Sequence, residues 1–297
     1  MPVTWRLTAP RAEGRNIDDV DKGTTVTTPV IERDAALALL APLTDLVAQA
    51  GAAILAVNRR AMTVADKTDG SPVTEADLAA DTVIAEGLAR LVPGVPTLSE
   101  ERVGQASPPY RHSFFLIDPL DGTREFVAGH DEFTVNLALI TDGQPLLGIV
   151  GAPALGLLWR GVVGHGAERV VIAADGTVGA AEAIRTRAFP GHPWVAAVSR
   201  SHGDPRTEAF IDGRPGAVRQ MMGSAVKFCR VAEGSADIYP RLAPTCEWDV
   251  AAGHAVVIAA GGRIGTARGA PIRFGETRED FIIPEFIAWG DPSLAPR

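Results

Sequence analysis

Phe114-Phe115-Leu116-Ile117-Asp118-Pro119-Leu120-Asp121-Gly122-Thr123 is the stretch from which the rest of the chain is read. Its leading apolar run signals a buried strand, and the sequence then turns polar. Asp118 and Asp121 stand three residues apart, with Pro119 stiffening the turn between them and Gly122 and Thr123 following. Such a turn can aim both carboxylates at one point. Two anions meeting there repel each other unless cations lie between them, and hard divalent ions such as Mg²⁺ take oxygen ligands. The local alternative is a polar β-turn, because Asp, Pro and Gly favour turns for backbone reasons alone. Acidic partners elsewhere in the chain decide between the two.

Just upstream, the extended, apolar Val95-Pro96-Thr97-Leu98 leads into Ser99-Glu100-Glu101. A Glu pair is ordinarily a solvated surface, yet this one directly precedes the strand of the central stretch. Further upstream, Thr74 is a good helix N-cap with Asp77 three residues later, a capping-box spacing. Asp77 therefore has a structural reading, as cap, and a chemical one, as an acceptor near the metals. The helix it opens carries Leu78, Val83, Ile84, Leu88 and Leu91 and ends at Pro93-Gly94. Lys67 to Pro72 is loop chemistry. Apolar residues at three- and four-residue steps predict a core helix from Asp34 to about Arg60, with Pro42 marking its true start or a kink.

Downstream, Phe133–Ile140 and Leu146–Val150 are apolar runs joined by Thr141-Asp142-Gly143-Gln144-Pro145, a hairpin signal. Further strands are expected at Gly156–Val163 and Arg169–Ala173, giving an antiparallel sheet. The second half opens with a strand at Trp194–Ser199 and a loop at Ser201-His202-Gly203. Met222-Gly223-Ser224-Ala225-Val226-Lys227-Phe228 leads into a helix reaching about Glu233. Ala236–Tyr239 is a strand ending at Pro240-Arg241. Glu247-Trp248-Asp249 opens a helix through Ile258, closed by Gly261-Gly262, with Asp249 read as its N-cap.

Bulk properties bound the class. At 297 residues the chain can build one large domain or two packed halves. A net charge of −8 with no long basic run excludes wholesale nucleic-acid binding, although a local cluster can still hold a small phosphorylated ligand. The two cysteines, Cys229 and Cys246, lack zinc-ligand spacing and point to a reducing compartment. Residues 1–33 read as a tail without a signal-peptide pattern. No stretch reads as the roughly 20 apolar residues of a membrane span, so a cytoplasmic protein is expected.

Asp77, the Glu100-Glu101 pair, Asp118–Thr123, and Trp248-Asp249 followed by Gly261-Gly262 occur in one order in one chain. Together they resemble the signature of the inositol monophosphatase superfamily, the magnesium-dependent, lithium-sensitive phosphatases. Over roughly residues 34–290, Ser199-Arg-Ser-His202, Ser224–Cys229 and Val231–Gly234 add a similarity to its CysQ branch of bacterial 3′(2′),5′-bisphosphate nucleotidases. The resemblance implies an α+β fold, a layered α-β-α-β-α sandwich. It implies an N-terminal half at 34–190 carrying the metal motifs and a C-terminal half at 191–297 carrying substrate residues and Asp249, after the tail at 1–33. It implies a first Mg²⁺ on Glu100, Asp118 and the Leu120 carbonyl, and a second on Asp118, Asp121 and Asp249. A third, weaker ion would sit near Glu100 and Asp77. Thr123 would relay a proton from the attacking water to Asp77. The Gly122 and Thr123 amides would meet the phosphate.

For the substrate, the resemblance implies adenosine 3′,5′-bisphosphate, a by-product of sulfate assimilation, cleaved to AMP. Lys227 and Arg241 would clamp its second phosphate, Ser224 would donate a hydrogen bond, and His202 would lie near the nucleoside. Read singly, Lys227 is equally a solvated helix residue, Arg241 a surface charge and His202 an ordinary loop residue; the matching set favours the clamp. Inositol monophosphatases place an acid seven residues before the Trp-Asp aspartate, where this chain has Leu242. That weighs against the alternative of an inositol or sugar phosphate phosphatase. A non-catalytic metal-binding regulatory module is the third reading, and it has no need of Thr123 or Asp77. Glu247 departs from the branch, which has an apolar residue there; it would face solvent or alter metal affinity. Family members associate peripherally with the inner membrane, and no anchor for this is seen. Oligomeric state is not read from the sequence.

Overall fold

The computed structural model describes residues 29–59, 62, 64–66, 72–105, 110, 112–275 and 281–296. Most of the N-terminal tail (1–28) and most of the Lys67–Pro72 loop lie outside the described residues. In chain order the elements are α1 (Arg33–Ala56), β1 (Val64–Asp66), β2 (Pro72–Thr74), α2 (Glu75–Leu91), β3 (Thr97–Ser99), β4 (Ser113–Asp121) and α3 (Thr123–Val127). There follow β5 (Thr134–Thr141), β6 (Gln144–Ala152), β7 (Leu157–Val162), β8 (Gly166–Ile172) and β9 (Val178–Ile184). The remainder comprises β10 (Trp194–Ser199), α4 (Pro205–Asp212), β11 (Ala217–Met222), α5 (Val226–Ala232), β12 (Ile238–Arg241), β13 (Thr245–Cys246), α6 (Glu247–Ala259), β14 (Arg263–Gly265), β15 (Ile282–Ile283) and β16 (Phe286–Trp289).

Two sheets organise these elements. The first has seven strands in the order β3-β4-β5-β6-β7-β8-β9. It is antiparallel as expected except at its edge, where β3 pairs parallel to β4. The second has five strands in the order β11-β10-β12-β16-β14 and is mixed, β10 running parallel to both neighbours. One apolar cluster joins α1 and α2 to one face of the first sheet through Leu43, Ile54, Ile84, Phe115, Ile117 and Leu137. A second fills the space between the sheets around α5 and α6, through Phe114, Leu116, Trp159, Phe228, Val256 and Phe286. A third seats α4 on the outer face of the second sheet through Ile211, Trp194 and Ile238. The layers are therefore α-β-α-β-α. Each fully buried Phe or Leu contributes about 1.5–3 kcal/mol to holding them together.

α1 is the one helix among the described residues with the length and apolarity of a membrane span, at a mean hydropathy of 1.6. This corrects the expectation that no stretch approaches that composition. Its apolarity has a local cause: Leu39, Leu43, Leu46, Val47, Ala50 and Ile54 are buried against α2 and the sheet. Pro42 sits inside α1, not at its start, and the helix ends at Ala56, before Arg60.

The central stretch is not a strand followed by a turn. β4 runs on through Asp121. Asp118 pairs with Asn136 and Asp121 with Thr134, so three steps on β4 match two on β5. The extra residue is a β-bulge. In a regular strand residues 118 and 121 would face opposite sides of the sheet. The bulge reverses that parity. Before it, Phe115 and Ile117 face α1 and α2 while Phe114 and Leu116 face α6; after it, Leu120 has joined the α1–α2 side. Asp121 thereby falls on the α6 side with Asp118.

Candidate active site

Where the layers meet, a cavity of about 190 Å³ opens. One wall comes from the first sheet and its turns: Glu100, Asp121, Gly122, Thr123, Arg124 and Glu125. The other comes from elements of the second sheet and α6: His202, Ser224, Lys227, Tyr239, Arg241, Thr245 and Asp249 among them. Of the twelve positions predicted from sequence to carry chemistry or its support, these walls bring together Glu100, Asp121, Gly122, Thr123, His202, Ser224, Lys227, Arg241 and Asp249. Asp77, Asp118 and Leu120 do not line the cavity. They connect to its wall through Thr123, whose hydroxyl donates to Asp77 Oδ1 at 3.0 Å and shares its proton with the Leu120 carbonyl at 3.1 Å. The Leu120 amide in turn donates to Asp118 Oδ1 at 3.1 Å. Leu242 lies apart, buried in the third cluster.

The capping reading of Asp77 holds, and it occupies only one of the two oxygens. Oδ2 accepts from the Thr74 amide at 2.8 Å and the Thr74 hydroxyl at 2.7 Å, closing the capping box of α2. Oδ1 is left to face Thr123. Gly122 then turns the chain with φ 90°, a left-handed conformation that disfavours side chains, and caps α3. A Cβ there would come within 3.3 Å of Ser224 Cβ.

Asp249 corrects the sequence reading: the N-cap of α6 is Cys246, and Asp249 occupies the third helical position. Its Oδ2 accepts from the Cys246 amide at 3.2 Å and from the Thr245 hydroxyl. Asp121 accepts weakly from Asn136 at 3.3 Å and Thr134 at 3.4 Å. Burial, then the charge of Asp249, push the Asp121 carboxyl well above the usual carboxylate range, against the opposing charge of Lys227.

Lys227 is not solvated. It is 2% exposed and its Nζ donates to the Ser224 carbonyl at 2.6 Å and the Met222 carbonyl at 3.4 Å, 5.3 Å from the centre of the Tyr239 ring. Burial pulls its pKa down, and Asp121 is the main group opposing that. Arg241 is no surface charge: its Nη2 donates to the Pro244 carbonyl at 3.3 Å, and its Nε is buried without a partner. An orphaned guanidinium nitrogen at a cavity wall suits an incoming anion. His202 lines the mouth, and packing together with the charge of Arg241 lowers its pKa.

Glu247 neither faces solvent nor enters the cavity. It is 1% exposed, and its carboxylate accepts from the Gly275 amide at 2.7 Å, fastening the 275 turn to the start of α6. Glu125, Tyr239, Thr245 and Arg124 line the cavity without having been singled out from sequence. Glu125 carried one unused signal, an acid following Thr123 in a segment that continues into apolar Phe126 and Val127.

Among the described residues, no three Asp, Glu, His or Cys side chains are arranged to enclose an ion. Asp118, Asp121 and Asp249 are each turned onto a protein donor instead. The donor set is nonetheless suited to a hard cation, since it is all oxygen and anionic. The penalty that burial and Asp249 place on ionised Asp121 is one a cation would relieve.

A model of the inositol monophosphatase family matches residues 37–285, and the chain belongs to that family. Its curated relatives include the 3′(2′),5′-bisphosphate nucleotidase CysQ of Escherichia coli K12, 40% identical over 251 residues that span 84% of this chain and 98% of that protein. The CysQ of Salmonella typhimurium is 39% identical, over 84% of this chain and 98% of its own. Among solved structures, CysQ from Bacteroides thetaiotaomicron superposes with a TM-score of 0.70 at 33% identity, covering 89% of this chain and 98% of that one. The inositol monophosphatase of Thermotoga maritima, at 24% identity and a TM-score of 0.66, shares the fold.

Proposed function

We propose that the chain is a Mg²⁺-dependent 3′(2′),5′-bisphosphate nucleotidase that converts adenosine 3′,5′-bisphosphate to AMP and phosphate. The observation that carries this reading is a cavity lined both by the acids Glu100, Asp121 and Asp249 and by the cations Lys227 and Arg241, in a chain 40% identical to a nucleotidase over nearly all of that protein's length. In this reading the halves 34–190 and 191–297 each supply one wall, and the reaction takes place in the cytoplasm.

Glu100, Asp118, the Leu120 carbonyl, Asp121 and Asp249 would hold two Mg²⁺, with a third, weaker ion near Glu100 and Asp77. Bound there, the ions supply charge neutralisation for an anionic ester and acidify water. The protein's own groups do the rest. Thr123 Oγ1 has a lone pair free to take a hydrogen bond from a water on the cavity side, while its proton points to Asp77 Oδ1. Asp77, held by the two Thr74 donors on its other oxygen, is a fixed acceptor at the end of that relay. The Gly122 and Thr123 amides, at the start of α3, orient the phosphate. Arg241, with its unpartnered Nε, takes the second phosphate. Lys227 sits between that anion and Asp121, Ser224 offers its hydroxyl, and His202 borders the nucleoside.

Two observations favour this over the other readings. Leu242, at the position of the inositol-binding acid, is buried and its amide donates to Thr207 Oγ1 at 2.8 Å, so this segment contributes no sugar-hydroxyl acceptor. The Thr123–Asp77 contact has no use in a module that only binds metal. The test is phosphate release from adenosine 3′,5′-bisphosphate, inositol 1-phosphate and fructose 1,6-bisphosphate, each with Mg²⁺, with added Li⁺ and with EDTA. The bisphosphate nucleotide is expected to turn over fastest, and EDTA to abolish the reaction. Equal or faster release from the inositol ester overturns the nucleotidase reading.

A further inference from the structure

The two cavity walls belong to different sheets, so their spacing needs a tie near the substrate. α3 and the loop that follows it supply one. Glu125, 4% exposed, accepts from the Ser201 hydroxyl at 2.5 Å across the boundary between the walls. Seven residues on, Glu132 pairs with the Arg200 guanidinium and accepts from the Gly223 amide at 2.9 Å. The Thr134 hydroxyl donates to Ser224 Oγ at 3.1 Å. The fit is close: a Cβ on Gly223 would lie 2.4 Å from the Glu132 carbonyl oxygen and 3.1 Å from Glu125 Cγ.

These ties converge on two short segments of the opposite wall, residues 199–202 and 222–224. The segments are linked by the Arg200 amide donating to the Met222 carbonyl at 3.0 Å, and the first is braced within itself by the His202 amide donating to Ser199 Oγ at 3.1 Å. Between them they present Ser199, His202 and Ser224 to the cavity. Arg200 and Ser201 line no part of it; they are handles.

We infer that Glu125 and Glu132 are positioning residues that latch the His202 and Ser224 wall against the turn carrying Asp121 and Thr123, and so set affinity for the nucleoside part of the substrate. The substrate portion of this inference rests on the nucleotidase reading; the latch itself does not. The two carboxylates, seven residues apart, grip the adjacent Ser201 and Arg200. Each grip is a charge-assisted hydrogen bond, stronger than a neutral one. Releasing them lets the wall move without changing any group that touches the reacting phosphate.

The double variant Arg200→Gln/Ser201→Ala cuts the Glu132–Arg200 and Glu125–Ser201 ties from the side that does not line the cavity, and leaves the Glu132–Gly223 and Thr134–Ser224 bonds in place. Hydrogen exchange of the peptides covering 199–203 and 222–225, measured without substrate, is expected to quicken in the variant, while the β4–β6 peptides keep the parent's protection. KM for adenosine 3′,5′-bisphosphate is expected to rise roughly tenfold, the 1.4 kcal/mol of one such bond. kcat should stay within about twofold, a barrier change of about 0.4 kcal/mol. Arg200→Lys/Ser201→Thr, which keeps a cation and a hydroxyl, is expected to restore most of both. A thermal melt checks that each variant is folded. Unchanged exchange at both segments overturns the latch. Quickened exchange with an unchanged KM overturns its role in substrate affinity. If the parent turns over no bisphosphate nucleotide, the function reading fails, and the exchange measurement still decides the latch.

Discussion

Asp77→Asn separates the capping role of the carboxylate from the proton-acceptor role proposed for it. In the parent, Oδ2 accepts both Thr74 donors and Oδ1 accepts the Thr123 proton. An asparagine in the same rotamer keeps its carbonyl oxygen on the Thr74 side, so the α2 cap survives with a neutral acceptor. The loss there is about 0.5–1 kcal/mol, the difference between charged and neutral capping. For a chain of this size that moves Tm by about 2 °C. On the other side the amide nitrogen now faces Thr123 and donates to it. The Thr123 proton is left to the Leu120 carbonyl, 3.1 Å away, which cannot accept it fully. The relay loses its terminal base, and kcat is expected to fall by roughly 10²–10⁴, or about 3–5 kcal/mol on the barrier. Phosphate release and thermal unfolding of the same preparation measure both numbers. Thr123→Val should match the kcat loss without touching the cap, and Thr123→Ser should recover most of it. An Asp77→Asn enzyme within about threefold of the parent, under about 0.7 kcal/mol, refutes the proton-acceptor role.

Arg241→Gln removes the guanidinium, and with it the unpartnered Nε, from the cavity wall; KM for the bisphosphate nucleotide is expected to rise by at least about tenfold, and KM for a substrate with one phosphate to change little. Equal rises for both would place Arg241 at the cleaved phosphate instead. His254, 4% exposed on α6, is held neutral because burial takes its pKa down to about 3. The unfolded chain protonates it near 6.5, so its contribution is intact above that value and drains away as pH falls toward 3. Stability should drop by about 2 kcal/mol between pH 8 and pH 5, and His254→Leu should flatten that limb in urea titrations; a parallel pH profile refutes the assignment. Glu247→Ala leaves the buried Gly275 amide without an acceptor and should cost about 1–3 kcal/mol in urea melts, with Mg²⁺ affinity retained. A large loss of Mg²⁺ affinity at full stability would return Glu247 to the metal site.

What sequence conveyed and what it withheld divide along physical lines. The capping box at Thr74 and Asp77 was legible because both partners lie within one helical turn. The β5–β6 hairpin was legible because Asp142-Gly143 sits between two apolar runs, although β6 begins at Gln144, earlier than its apolar residues suggest. The bulge in β4 was not, because parity is defined only by the pairing partner on β5. Strand β9 escaped because Val178–Ile184 is mostly exposed and lacks alternation. β11 did so for a similar reason, with Arg219, Gln220 and Met221 all exposed at its centre. α4 is short and amphipathic over only two turns, too little for a periodic signal. The ties of Glu125 and Glu132 were not legible, since nothing local announces that Ser201 and Arg200 will fold against them.

Helix α6 explains why so many acids can be gathered at one place without an adjacent base holding each of them. It is apolar nearly all round, with Val250, Ala251, Ala252, Ala255, Val256 and Val257 buried between the two sheets. A helix buried on every face is set by its neighbours rather than by solvent. Its small residues allow both sheets to approach closely, so the first turn of α6 has one available position relative to the end of β4. Asp249 is carried there by core packing, and its charge then acts on Asp121 at a cost the core has already met. Glu247 uses that fixed turn to hold the Gly275 amide, a dependent of α6 and not a support for Asp249. The electrostatic strain at the cavity is thus borne by hydrophobic burial elsewhere. It follows that trimming α6 at Val256, far from any carboxylate, should weaken metal binding as well as stability. Isothermal titration of Val256→Ala with Mg²⁺ tests this: a stability loss with Mg²⁺ affinity unchanged would show that Asp249 is held by its local hydrogen bonds alone.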